Sequence, residues 1–184
     1  MFKQLNFDKL QILVTGIVTT LILSLLLWEH FHGGVPSHHV LDRKDLPKIS
    51  NWLGALLLPT LTWTLLGRIK IRIGKQAPKS ENHNENLKIL RLFIIGLILG
   101  LAVAISFTYS FKIFLDNVLY IFLILGLLVP IFYSEFILGF ILGMTYTFGA
   151  VLPTVFILII ATVSLLLFKF IRPLLLKLFK PSKT

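Results

Sequence analysis

The chain contains no cysteine, which excludes disulfides, thiolate nucleophiles, iron–sulfur clusters and cysteine-ligated zinc. Charge is scarce as well: 14% of residues are Asp, Glu, Lys or Arg, against about 25% in a soluble domain. Several catalytic signatures are missing: a phosphate-binding glycine loop, a Gly-x-Ser-x-Gly elbow, a His-Glu-x-x-His pair and paired acids within apolar runs. No histidine lies inside a long apolar run, so haem held between helices is excluded too.

Apolar sequence fills the space that charge leaves. At 184 residues the chain has room for one domain, yet 56% of it is hydrophobic. That excess is too large for one soluble core, because the surface enclosing the core would itself be apolar. Lipid is therefore the expected solvent. A helix needs about 20 apolar residues to cross a hydrocarbon layer about 30 Å thick. Runs of that kind cover 10–28, 51–67, 92–109, 117–133, 136–152 and 153–168. The first follows Lys3 and Lys9, but it is too long for the apolar part of a secretory signal and no small-x-small site follows, so it reads as a retained helix.

The stretch from Asn117 to Phe168 is cut at two sets of breakers. These are Pro130 with Tyr133-Ser134-Glu135, and Gly149-Ala150-Val151-Leu152-Pro153. The expected fold is an all-α polytopic membrane bundle of six transmembrane helices forming a single membrane domain over 1–184. The alternative is four spans plus a re-entrant helix pair at 117–152.

The distribution of basic residues sets the expected orientation. With the N-terminus inside, 14 of the 18 Lys and Arg residues fall on the cytoplasmic side, leaving only Arg43, Lys44, Lys48 and Lys112 outside. An even number of crossings follows from the positive-inside rule, with both termini cytoplasmic. The outer loop is then 29–50, the cytoplasmic linker 68–91 and the basic cytoplasmic tail 169–184. Short loops and an economical chain suggest a bacterial plasma membrane. The formal charge of +10 would suggest nucleic acid in a soluble protein. Here anchoring at the membrane surface accounts for it, and no nucleic-acid partner is expected.

Four of the five histidines stand within ten residues: His30, His32, His38 and His39. Imidazole suits zinc, copper and iron, and Gly33, Gly34 and Pro36 would let the chain fold back so that histidine pairs converge. Glu29 could complete such a metal site, with Asp42, Arg43 and Asp45 positioning a substrate or tuning the ligands. The competing readings are neutral histidines resting at a headgroup interface, or a pH-sensitive contact. Adjacent histidines also resemble the histidine boxes of membrane desaturases and hydroxylases. Those di-iron families need several boxes, whereas the remaining His83 falls on the opposite side of the membrane in this topology.

Glu135 is expected at a tight cytoplasmic turn, solvated near a helix N-terminus. The functional alternative is a buried ion or proton site that could contact a ligand. Small residues recur every fourth position as Gly16, Thr20 and Ser24, as Gly96, Gly100 and Ala104, and as Gly139, Gly143 and Thr147. Each series marks a face fit for close helix packing. Hydroxyls at Thr60, Thr62, Thr64, Thr145, Tyr146 and Thr147 could serve a ligand, though such groups more often bond their own helix. Pro59 is expected to kink the second helix.

Together these features point to a small-solute binding or transport component, or an accessory subunit joined to other membrane subunits or to itself as a homo-oligomer. In size and helix count the chain is similar to the substrate-binding subunits of energy-coupling-factor transporters, although no motif carries that likeness. The near absence of ionisable groups inside the spans argues against a proton-coupled pump. The alternative function is a metal-dependent membrane enzyme with an outer-face site at the histidines, its cofactor a transition metal (Zn, Cu or Fe).

Overall fold

A computed structural model describes residues 2–39, 48–75 and 82–174. Helix α1 (Phe2–Phe31) runs through the first apolar stretch and stops at Gly33 and Gly34, whose φ values of 122° and 92° turn the chain out of the helix. The Gly34 N–H donates to the Glu29 carbonyl at 2.9 Å and closes the helix end. Strand β1 (Ser37–His39) then pairs antiparallel with β2 (Lys48–Ser50), placing Ser37 opposite Ser50 and His39 opposite Lys48. Among the described residues this hairpin is the one departure from helical structure and turns. Each strand is three residues long, too short for a periodic pattern to announce it in the sequence.

The Ser50 hydroxyl accepts from Trp52 N–H at 3.3 Å and caps a 3-10 turn, Asn51–Leu53, that opens α2 (Gly54–Lys75). Pro59 lies inside α2 near its start without ending the helix. α3 (Asn82–Thr108) leads through Ser110, at φ 55°, into α4 (Lys112–Leu128). α4 ends where the residue before Pro130 must be extended, and Val129 is extended at φ −121° and ψ 139°. α5 (Ser134–Phe148) ends at Gly149, and α6 (Val151–Leu166) continues into a π-type turn, Leu167–Ile171.

Among the described residues four helical segments are long and apolar enough to cross a bilayer: Phe7–Phe31, Asn51–Lys75, Glu85–Thr108 and Val151–Leu174. This is a helical membrane protein. α5, with 15 residues, spans only roughly 22 Å at 1.5 Å per residue, less than the ~30 Å hydrocarbon thickness. Its position explains how so short a helix is accommodated. Ten of its residues are buried, among them Phe136, Phe140 and Ile141, so the other helices rather than lipid surround most of it.

α3 and α5 pack main chain against main chain. A Cβ placed on Gly96 would lie 2.3 Å from the Phe136 carbonyl oxygen, and one on Gly139 would lie 2.2 Å from that of Phe93. Gly100 and Gly143 repeat the arrangement one turn on, against Phe140 and Leu97. Backbone meets backbone along two turns, with no side chain between. On the other side of α5, Phe122 of α4 sits edge-on to Phe140 and to Phe156 of α6, each at 5.4 Å between ring centres, which fills the three-helix junction. α6 and α4 also meet at Gly126, whose carbonyl accepts from the Ser164 hydroxyl at 3.2 Å.

The helices run up and down, so their ends collect at two poles. One pole carries the β-hairpin, Trp28 and Trp52. The other carries the Asp8–Lys70 ion pair, Arg72, Lys88, Arg91 and Arg172, and both the start of α1 and the end of α6 lie there.

Candidate functional site

At the hairpin pole His30 and His32 have different partners. His30 meets Phe31 and Trp52 with ring centres at 5.3 and 6.0 Å, whereas His32 stacks on Trp28 at 4.7 Å. His32 Nδ1 lies 2.9 Å from the Trp28 carbonyl oxygen, which can only accept, so Nδ1 is the donor. His38 and His39 are consecutive residues of β1, opposite Ile49 and Lys48. Glu29 stands in the last turn of α1 and is half-buried. Asp42, Arg43 and Asp45 lie outside the described residues. Among the described residues no three His, Cys, Asp or Glu side chains come together in a way that could hold a metal ion.

The basic pole is built differently, and the expectation for Glu135 needs correction there. Glu135 is only 1% exposed rather than solvated, and its Oε1 accepts from Arg72 Nη2 at 2.6 Å. The reason is that α2 continues past Gly67: Ile69 is buried in the core and carries the helix through Arg68, Lys70 and Arg72 to Lys75. Arg72 then reaches the first turn of α5, where negative charge is favoured by the helix dipole. Its guanidinium also lies 4.2 Å from the centre of the Tyr133 ring. Glu135 Oε2 is buried with no donor among the described residues.

Around this pair runs a chain of rings and cations. Lys88 approaches the Tyr133 ring at 6.0 Å, Phe132 stands edge-on to Tyr133 at 5.0 Å and to Phe168 at 5.5 Å, and Arg172 covers Phe168 at 4.2 Å. The turn between α4 and α5 is thereby clasped by α2, α3 and α6. Beside it, Leu87, Lys88, Arg91 and Leu92 of α3 line a cavity of about 320 Å³ with Pro130.

The stripes of small residues divide. Gly96, Gly100, Gly139 and Gly143 lie in the α3–α5 seam and Ala104 is buried further along α3, but Gly16, Thr20 and Ser24 are exposed on the outward side of α1. A shallow groove of about 490 Å³ follows that side, lined by Ile12, Leu13, Gly16, Ile17, Thr20 and Leu21. Three of the six hydroxyls considered for a ligand bond their own helices: Thr60 donates to Leu56, Thr64 to Thr60 and Thr145 to Ile141, at 2.7 to 2.9 Å. Thr62 is buried without a partner for its hydroxyl among the described residues. Tyr146 is exposed and Thr147 half-buried.

Sequence reasoning missed Arg72, Lys88 and Arg91 as a group, and also Gln11. Gln11 is buried on α1 and donates to the Trp63 carbonyl at 2.9 Å, beside Gly67, where a Cβ would lie 3.4 Å from its amide nitrogen. A lone amide at the second position of an apolar run is the signal that could have found it.

The fold and the two poles thus define a polytopic helical membrane protein. No family model matches the chain, and neither the curated proteins nor the solved structures provide a match.

Proposed function

We propose that this chain is an accessory subunit of a membrane complex that docks a transmembrane helix of another polypeptide on the outward side of α1. The single observation that supports this reading is the exposed stripe Gly16, Thr20 and Ser24 with its groove. The same molecule already uses such spacing once, in the α3–α5 seam, where missing side chains let two backbones meet. Thr20 donates to the Gly16 carbonyl, so its hydroxyl is satisfied within the helix and the stripe stays shallow there. A partner helix of the same chain type running parallel would bring Lys9 against its own copy, which favours a different polypeptide as occupant.

Passage of a solute through the bundle is supported less well. The centre is occupied by α5, with Phe136, Phe140, Ile141 and Ile157 fully buried around it. The reading further takes the bundle to cross the plasma membrane six times, α4 and α5 being short, with the basic pole on the cytoplasmic side because its cations match the retained charge of that face.

Replacing Thr20 with a photo-crosslinking amino acid tests the proposal in native membranes. The expected result is one protein adduct of constant mass that disappears when Gly16→Leu is added and is absent when the crosslinker replaces Leu119, an exposed residue of α4. Adducts to lipid alone, or an adduct unaffected by Gly16→Leu, would overturn it. An adduct at twice the chain's own mass would replace the hetero-partner with a second copy.

A further inference from the structure

The cavity at the basic pole combines two kinds of lining that suit one class of molecule. Lys88 and Arg91 stand one turn apart on α3, and Leu87, Leu92 and Pro130 supply the rest of the wall. Neither cation has a carboxylate partner among the described residues, where the ion pairs are Lys70 with Asp8 and Arg72 with Glu135. Asp8 and Glu135 at this pole are thus engaged by Lys70 and Arg72, and Glu85, one turn before Lys88 on α3, forms no ion pair with Lys88 or Arg91 among the described residues, so the charge of these two cations stays open to an outside anion.

We infer that this cavity binds the phosphate of an anionic glycerophospholipid from the surrounding bilayer, independently of any partner on α1. Arg91 offers a planar fork of N–H donors that matches two phosphate oxygens, and Lys88 adds a mobile point charge from the adjacent turn. The segment Glu85–Thr108 enters its apolar run here, which sets both cations at headgroup depth. An acyl chain leaving the phosphate then lies against Leu87, Leu92 and Pro130, a wall for which a free inorganic anion has no use. Basic recesses between membrane helices hold anionic headgroups on this physical basis. The cation–ring contact from Lys88 to Tyr133 at 6.0 Å ties the site to the turn between α4 and α5, so an occupied cavity braces α3 against that turn.

The test uses the full-length protein in phosphatidylcholine nanodiscs doped with phosphatidylglycerol, with bound lipid counted by native mass spectrometry after release. Wild type is expected to retain phosphatidylglycerol preferentially. Lys88→Gln and Arg91→Gln are each expected to weaken that preference roughly fivefold, corresponding to about 1 kcal/mol per surface cation. Both side chains are exposed, so the substitutions leave the core intact, and an unchanged thermal midpoint in lipid-free detergent verifies this. Lys169→Gln, an interfacial cation on the π-type turn after α6, serves as the control and is expected to retain wild-type preference. Preference unchanged in the Lys88→Gln/Arg91→Gln double variant overturns the inference. So does stabilisation of the detergent-purified protein by inorganic phosphate equal to that by phosphatidylglycerol, which would make the site one for a free anion.

Discussion

The stripes of small residues on α1 and α3 carry the same spacing and have opposite fates. On α3, Gly96 and Gly100 are pressed against the main chain of α5; on α1, Gly16 has no neighbour within 4 Å for an added Cβ to meet. Small-residue spacing therefore marks a face that permits close approach, and whether anything approaches depends on what else the chain supplies. α5 supplies Gly139 and Gly143 at the matching height, so both surfaces are recessed and the backbones touch. α1 is answered on its other side by α2, through Gln11, Val18, Ile22 and Leu26, and its small face is left outward.

That contrast breaks most sharply at Gly139. Leucine there has no room, because its Cβ alone would stand 2.2 Å from the Phe93 carbonyl and 2.9 Å from the Leu97 nitrogen, and main chain cannot step aside. Gly139→Leu is expected to leave no folded monomer in size-exclusion chromatography in detergent; a normal elution profile would erase the distinction between the two stripes.

A smaller loss is expected where α5 is tied to α2 by charge rather than to α3 by shape. Arg72→Ala strands Glu135 in the interior and is expected to cost about 3 kcal/mol, the lower end for breaking a buried pair, since the Arg72 side chain is 27% exposed. Adding Glu135→Leu should restore most of that stability, as an apolar pair commonly does. Thermal unfolding of the single and double variants measures both steps, and a double variant no better than Arg72→Ala would mean that the pair matters by shape.

Gly149 comes next. Its φ of 67° with ψ of −173° is a glycine conformation, and a Cβ would lie 2.2 Å from Asn51 Oδ1. Gly149→Ala is expected to cost about 2 kcal/mol, of which adding Asn51→Ala relieves only the steric part. Full recovery in the double variant would show that the backbone strain is negligible.

The smallest effect belongs to Gly16→Leu, expected to change monomer stability by no more than about 0.5 kcal/mol while removing the crosslink at position 20. A destabilisation as large as that from Arg72→Ala would place α1's small face inside the bundle and cancel the comparison.

Much of the helical layout could be read along the chain. The breakers at Pro130 and Gly149 act locally, by restricting Val129 to an extended conformation and by permitting a positive φ, and helices end at both places. The boundary drawn after Gly67 fell short because charge was taken as an exit from the helix. Arg68, Lys70 and Arg72 instead alternate with Ile69, Ile71 and Ile73 in a helix that keeps going, with Ile69 in the core. The burial of Glu135 was not legible at all, since its partner stands 63 residues away. The same holds for Lys88 and Arg91 beside Pro130, which the rest of α3 and the whole of α4 separate along the chain.

What the sequence by itself determined is the solvent and the segmentation. Partition into hydrocarbon sums over consecutive apolar residues, and breakers act within a turn, so both are properties of neighbours along the chain. Only the tertiary structure decided which small-residue stripe is sealed, that Glu135 is enclosed and paired, and that open cations share a cavity with an apolar wall. Those outcomes depend on groups brought together from distant positions by how six helices pack, which no local pattern encodes.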